Sequence, residues 1–376
     1  MKFSISSHEL LKAITTVSGA VPSKSTLPIL ECMLFEKEGQ NLKISATDLE
    51  ISIIQMLEAQ FETNGTDAPQ RIAVPAKRLL ETLRALPDLP ITFHSNEEYL
   101  IELKTDQGKY KMAGYDGSDY PHIQTMNGSY EIVLDAMVLK RSFQKTGFAV
   151  SKDALRPAMM GVFFRIETDH GEVVATDGHR LIQLKVEALK GTEPTSFIVP
   201  EKALNLAGKI AVEEDCTISV QDGFIGFAFT NTTVMARVID EKYPNYGAVI
   251  PQDNNKQLLI NRAALLAAVK RVGLYSSSTT HQIRLSLRLN ELIVSAEDIE
   301  RSSEAQEKIL CEYGDDDLEI GFNSVYLTEI LNNVDTNDVH INFSTPNRAG
   351  IITPSEQNEG EKMLMLIMPV MLNTYA

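Results

Sequence analysis

Asp177-Gly178-His179-Arg180 is the run in this 376-residue chain whose side chains come closest to chemistry. A histidine beside a carboxylate has the groups for acid–base catalysis, and the adjacent arginine has those for holding a phosphate. Neighbours in sequence rarely meet in catalytic geometry, and no nucleophile elbow, phosphate-cradling glycine loop or metal-binding histidine pair accompanies the run. The competing reading is a tight turn between strands, with Gly178 supplying a backbone angle costly to other residues. The first reading makes the chain a monomeric repeat enzyme acting on a phosphorylated substrate through Asp177, His179 and Arg180. The second explains the glycine and leaves the other three residues unaccounted for.

Three other groups invite chemistry. Met363–Leu372 packs four methionines into ten residues. Methionine is pliable and polarisable, which suits a surface accepting varied apolar partners, although an ordinary final strand has the same look. Pro369, lacking an amide donor, marks where that strand ends or lies at an edge. Asp315-Asp316-Asp317 lacks the glycine-containing spacing of a cation loop and reads as a solvated turn. Cys32, Cys216 and Cys311 are odd in number and widely spaced, which predicts reduced thiols, no zinc site and a cytoplasmic protein. The longest apolar run covers about half a membrane span, and no basic-then-apolar leader opens the chain. Neither a membrane anchor nor a secretion signal is expected, and no metal or cofactor.

The elements that must position these residues occur three times. Ala46-Thr47-Asp48-Leu49-Glu50 returns as Ala175-Thr176-Asp177-Gly178-His179 and, degraded, as Ala296-Glu297-Asp298-Ile299-Glu300. Val74-Pro75-Ala76-Lys77 returns as Val199-Pro200-Glu201-Lys202, with Phe322-Asn323-Ser324-Val325 at the third place. Asp119-Tyr120-Pro121 returns as Lys242-Tyr243-Pro244. Three markers share one period near 125 residues, which is domain-sized. The expected domains are residues 1–125, 126–252 and 253–376. Each reads as helix, strands, helix, strands: an α+β domain with antiparallel sheets and two helices on one face. Helices are expected over Glu9–Val17, Ala76–Leu86, Met137–Phe148, Glu201–Ile210, Arg262–Val272 and Ser324–Val334. Ser6, Asp135 and Asn261 are the expected N-caps, and Pro75 and Pro200 the expected first helical residues. Ile29–Phe35, Leu42–Ala46 and Ile51–Met56 are the first strands expected after the opening helix.

The formal net charge of −16 argues, as an average, against nucleic acid. Divided by element it argues the reverse. The six helices carry twelve Lys and Arg against four Glu, a net +8, which leaves −24 for everything else. In the third helix Leu139 and Phe143 are expected to face in, Arg141 and Lys145 out. Solvated helix faces commonly carry such charges, but their recurrence points to a shared basic surface inside an acidic shell, although the last helix departs with only Glu329. No base-reading motif accompanies these residues, so any DNA contact is expected to be electrostatic and sequence-independent.

With Thr26-Leu27-Pro28-Ile29-Leu30, Ala175-Thr176-Asp177-Gly178-His179-Arg180-Leu181, Tyr243-Pro244-Asn245-Tyr246 and Met368-Pro369, the chain resembles the bacterial sliding clamps, the beta subunits of DNA polymerase III. The resemblance runs from Met1 to about Leu372. It implies a non-enzymatic processivity factor: a head-to-tail homodimer whose three clamp domains per chain close a ring around double-stranded DNA, helices inside and sheets outside. The DNA contacts it implies include Lys24, Lys77 and the loop around Lys152–Ala158, where Pro157 and Ala158 stand in place of the aromatics that can occur. The basic helix faces add Arg84, Lys140, Arg141 and Lys202 to the expected contacts. It implies a hydrophobic pocket for peptide tails of the replicative polymerase, the clamp loader and other replication and repair proteins. That pocket would comprise Arg156, Met159, Thr176, Gly178, His179, Arg180, Leu181, Pro244, Val249, Leu366, Ile367, Met368, Pro369 and Val370. Met371 replaces a commonly basic residue, and Asn373–Ala376 extend past the usual end. The dimer interface would use Tyr110, Met112, Leu274 and Tyr275.

Overall fold

The protein is described by a computed structural model covering residues 1–62, 70–126, 130–212 and 214–372. The C-terminal Asn373–Ala376 lie outside the described residues. Among the described residues every strand pairing is antiparallel, in sheets of five, nine, nine and four strands. The polypeptide forms two compact units: Met1–Lys140 with Lys202–Val238, and Arg141–Glu201 with Ile239–Ala376.

The nine-stranded sheets explain why the middle repeat is divided between the units. In the first unit, strand Ile51–Glu58 of the first repeat pairs with Thr232–Arg237, the last strand of the second repeat. In the second unit, Arg180–Val186 of the second repeat pairs with Glu361–Ile367, the last strand of the third. Each sheet therefore takes one half of the middle repeat and joins it by main-chain hydrogen bonds to a neighbouring repeat. Alternation sets which side chains go inward: Glu361–Ile367 buries Met363 and Met365 as core residues.

Six α-helices occur among the described residues: α1 (Ser7–Val17), α2 (Ala76–Ala85), α3 (Ala136–Thr146), α4 (Glu201–Ile210), α5 (Arg262–Gly273) and α6 (Ser324–Asn332). Their starts follow local chemistry. The Ser6 hydroxyl accepts from the amides of His8 and Glu9, and the Asn261 side chain accepts from Ala264. Asp135 accepts from Met137. Pro75 and Pro200 sit one place earlier than expected, ending strands Arg71–Pro75 and Thr195–Pro200. In α2, Leu79 and Leu83 are buried while Lys77, Arg78 and Arg84 are exposed, the separation that 3.6-residue periodicity requires.

Two expectations fail for identifiable reasons. Pro28–Glu31 is a 3-10 turn, with Leu30 N–H donating to Leu27 O at 3.0 Å, so the strand begins at Cys32 rather than Ile29. Pro28 presets the turn angle and removes a ladder donor. Lys145 does not face out: it is 8% exposed, and its ammonium donates to Asp335 at 2.5 Å and to Asn333 O at 2.8 Å. Helical spacing located the face correctly for Leu139 and Phe143, but that of Lys145 is covered by a loop 190 residues away. All three cysteines are free thiols. Burial, aided by neighbouring Glu31 and Glu214, pushes Cys32 up to about 11 and Cys216 up to about 12. No helix among the described residues is long and apolar enough to cross a membrane.

Phe93 sits at the centre of the first five-stranded sheet's core, fully buried, with ring centroids 4.8 Å from Phe3 and 5.6 Å from Phe35. Phe93→Ala is expected to destabilise the domain by about 3–5 kcal/mol, read as a lower denaturation midpoint. A loss below about 1 kcal/mol would contradict this packing.

Candidate functional site

The Asp177 run is a turn joining strands Gly171–Thr176 and Arg180–Val186. Asp177 Oδ1 accepts from the amides of His179 (2.9 Å) and Arg180 (3.0 Å), while Thr176 Oγ1 accepts from Gly178 N–H and donates to Arg180 O at 2.6 Å. Gly178 has φ +89°, and a Cβ there would lie 2.8 Å from an Arg156 guanidinium nitrogen. Glycine takes this angle without strain, and a Cβ would press only on the flexible end of the Arg156 side chain. The carboxylate that would orient a catalytic histidine is engaged instead with two amides and with Arg180 Nε at 3.2 Å.

Arg180 is a buried junction. It is 6% exposed and pairs with Asp177 and Glu329, and its second terminal nitrogen donates to Phe148 O at 2.8 Å. Its guanidinium lies 4.9 Å from the Tyr326 ring centroid and 5.3 Å from that of Phe148, and Tyr326 also stacks on His179 at 5.7 Å. The lone acid of α6 is therefore the counter-ion of this arginine. Tyr326, Phe148 and Glu329 were invisible to sequence reasoning because their partners lie 32 to 149 residues away.

Strand pairing brings most of the expected pocket together. Arg180 is opposite Ile367 and Leu181 opposite Leu366, and Met368 N–H donates to His179 O at 2.8 Å. Leu181 and Leu366 belong to one buried cluster with Val174, Ile198, Tyr243 and Ala349, against which Ala158, Tyr246 and Ile250 pack. Leu181, Arg180, Leu366 and Ile367 are thus supports beneath the surface, none more than 6% exposed. The accessible apolar atoms come from Val249 (53%), Met368 (40%) and Met160 (37%), beside half-buried Met159, Pro244, Pro369 and Val370. Only Met368 and Met371 of the four terminal methionines are exposed; Met371 is 81% so. Val370 bridges to Gly321.

The wall bearing Pro244 and Val249 has its own anchor. The 3-10 turn Tyr246–Val249 is held by the Tyr246 hydroxyl, which donates to buried Glu172; Lys185 (2.8 Å) and Gln183 (3.2 Å) bind the same carboxylate. Burial alone raises the Glu172 carboxyl, but these three partners outweigh it and hold it down at about 2. Burial and the Glu172 carboxylate push Tyr246 up to about 12. Tyr246 stood inside the run Tyr243-Pro244-Asn245-Tyr246 that carries the family resemblance, so its position was legible; its carboxylate partner was not.

The expected DNA contacts divide. Lys24, Lys77 and Arg84 are exposed. Lys140 donates to Ala211 O at 3.1 Å, Lys152 pairs with Glu201 and Lys202 with Asp48. Arg141 binds Glu361 and Asp335, both at 2.9 Å, and these bonds raise its pKa against the opposing effect of burial. Of the expected interface residues, Leu274 (82%), Tyr275 (45%) and Tyr110 (38%) are exposed. Met112 is 5% exposed, the single buried residue of Lys109–Ala113. The triple Asp run is exposed, with Asp315 accepting from Gln257 N–H and Asp316 pairing with Lys256. No cluster of three or more metal-ligating side chains occurs among the described residues.

Antiparallel sheets shared between repeats, with two helices to each repeat, define a three-domain DNA clamp fold. Models of the DNA polymerase III beta subunit match in order: the N-terminal domain over residues 1–124, the central domain over 133–245 and the C-terminal domain over 247–370. The beta sliding clamp of Synechococcus elongatus is 31% identical across all of both chains, and that of Pseudomonas putida 27% identical across 97% of this chain and 99% of its own. The crystal structure of the Pseudomonas aeruginosa DNA polymerase sliding clamp aligns with a TM-score of 0.92 at 27% identity, covering 99% of this chain and 100% of that one. The chain belongs to the DNA polymerase III beta subunit family, the bacterial sliding clamps, and is a non-catalytic processivity subunit.

Glu172 supplies the pH test. A depressed carboxyl contributes stability above its unfolded value near 4.5 that is lost as pH falls toward 2. Glu172→Gln is expected to cost on the order of 3 kcal/mol at most near neutral pH and to flatten the acid limb of the melting curve between about pH 4.5 and 2. An unchanged acid limb would contradict the ionic anchor.

Proposed function

We propose that two copies of this chain close head to tail into a ring around double-stranded DNA and tether replication proteins through the Gly178–Met368 surface. The observation that carries the proposal is the pairing rule between repeats. The last strand of the second repeat pairs with Ile51–Glu58, and the last strand of the third pairs with Arg180–Val186. Continued one step further, the rule asks Lys109–Ala113, the first repeat's counterpart of those strands, to pair with Ser303–Leu310 of the third. Both are sheet edges within their own units. A first-repeat strand of one copy and a third-repeat strand of another satisfy the rule, and such a heterologous contact closes into a ring when the rotation permits.

Charge supports the same pairing. Lys109 and Lys111 stand on one edge and Glu304, Glu307 and Lys308 on the other. Lys111 is paired to Glu102, Glu307 to Arg271 and Lys308 to Glu291, so the opposite signs are those of the exposed Lys109 and Glu304. Like edges would oppose like charges, which disfavours head-to-head association. Tyr110, Leu274 and Tyr275 would contact the second copy directly, with buried Met112 on the same strand face as Tyr110. The three domains would be residues 1–125, 126–252 and 253–376.

Lys24, Lys77 and Arg84 would face the phosphate backbone, with Lys140, Arg141, Lys152 and Lys202 near it but already hydrogen-bonded. Long basic side chains neutralise phosphates without fixing register, so the ring slides and the topological link retains it. Partners would be the replicative polymerase, the clamp loader and other clamp-binding proteins, in the cytoplasm, with no cofactor. Thr176, Gly178, His179, Arg156 and Met159 would form one side of their pocket, and Pro244, Val249, Met368, Pro369 and Val370 the other. Arg180, Leu181, Leu366 and Ile367 would lie beneath it.

Protein loaded by a clamp loader onto nicked circular DNA is expected to stay bound in high salt and to be released when the circle is cut. Retention on the linear product would contradict the topological link. For the pocket, the exposed-site double variant Val249→Asp/Met368→Asp is expected to weaken binding of a clamp-loader tail peptide at least tenfold with the solution mass unchanged. Undiminished affinity would exclude this surface.

A further inference from the structure

The chain builds the turn at Gly178 a second time, inside the first unit. Asp48 Oδ1 accepts from the amides of Glu50 (3.1 Å) and Ile51 (2.7 Å), and Thr47 Oγ1 accepts from Leu49 and donates to Ile51 O at 3.0 Å. These are the bonds of Asp177 and Thr176, atom for atom. Leu49, in the place of Gly178, has φ +79°. The neighbouring strand repeats as well: Met235 is opposite Ser52 as Leu366 is opposite Leu181. Arg237 N–H donates to Glu50 O at 2.9 Å, as Met368 N–H donates to His179 O.

Beside this second turn lies a pocket of 220 Å³. Its inner surface includes Met235, Phe224 and Thr47, and its mouth includes Glu50, His122 and Arg237. The repeat conserves the frame and changes the chemistry: Arg237 stands where the other site has Met368, and Ser52 where it has Leu181. The Arg237 guanidinium lies over the Phe224 ring at 4.9 Å, and its Nε is 3.6 Å from a Glu50 carboxylate oxygen. That separation is too long for a hydrogen bond, and both side chains are more than half exposed.

We propose that this pocket is a second peptide site, which takes a carboxamide side chain (glutamine or asparagine) from an extended segment of a partner protein. A carboxamide offers an acceptor oxygen to Arg237 and a donor NH2 to Glu50, bridging the two. A carboxylate would meet Glu50, an ammonium would meet Arg237, and an apolar side chain would displace water from both without replacing its bonds. The methylene stem packs on Met235 and Phe224. The pocket and its carboxamide chemistry stand on geometry within the first unit; that the carboxamide comes from a peptide segment rests on the reading of the Gly178–Met368 surface.

The test uses the full-length protein carrying 13C-methyl methionine, because Met235 reports on this pocket and Met368 on the other. N-acetylglutamine methylamide is expected to shift the Met235 methyl resonance saturably, leaving Met368 unmoved. The N-acetylglutamate and N-acetylleucine methylamides are expected to bind there at least tenfold more weakly. Arg237→Ala and Glu50→Ala, both at exposed positions, should each abolish the Met235 response. A Met235 resonance unmoved by the glutamine probe, or a response equal for the glutamine and leucine probes, would overturn the proposal. So would a glutamine response that survives in both variants.

Discussion

Main-chain pairing between successive repeats is the constraint on which the rest of this structure depends. A β-strand at a sheet edge presents unsatisfied donors and acceptors, and two of the three repeats meet that demand by joining their last strand to the repeat before. The same junctions fix the turns at Asp48 and Asp177, because Arg237 and Met368 each donate an amide to the residue two places beyond the aspartate. Sheet continuity, turn geometry and the candidate sites beside both turns are consequences of one recurring register. So is the division of the middle repeat between two compact units.

Side-chain charge follows this framework instead of setting it. Six of the twelve basic residues on the helices hold ion pairs or carbonyl bonds: Lys140, Arg141, Lys145, Lys202, Arg262 and Arg271. Exposed pairs of this kind contribute little to stability. Lys145 and Arg180 are different: each cation is itself buried while Asp335 and Glu329 remain partly exposed, and removing the carboxylate leaves a buried charge without its partner. The helical excess of +8 is real as composition, but only part of it is free to meet a polyanion. Arg78 and Lys270 are exposed on α2 and α5 and extend the free set beyond the residues that family likeness singled out.

Much of the fold was legible because it rests on local patterns repeated three times. Helix starts at Ser6, Asp135 and Asn261 follow from capping chemistry, and the run Asp177–Arg180 proved to be the turn that Gly178 implied. What escaped was set at long range. Lys145 looked solvated because nothing near it in sequence announces Asp335, and Met112 looked available because nothing in its own strand announces what covers it. Ile29, Leu30 and Glu31 were read into a strand although Pro28 before them favours the turn they make. The candidate site was legible as a set of positions and illegible as a surface: Leu181, Leu366 and Ile367 proved to be supports, and Tyr326, Glu329 and Glu172 the contacts that hold it in place.

The edges Lys109–Ala113 and Ser303–Leu310 are where the pairing rule asks for a second copy of the chain. Light scattering of the purified protein over nanomolar to micromolar concentration tests this most directly. Mutual satisfaction of the two edges predicts a single species of twice 41.7 kDa, independent of concentration above the nanomolar range. A 41.7 kDa monomer persisting at micromolar concentration, or an open-ended series of larger species, would contradict it.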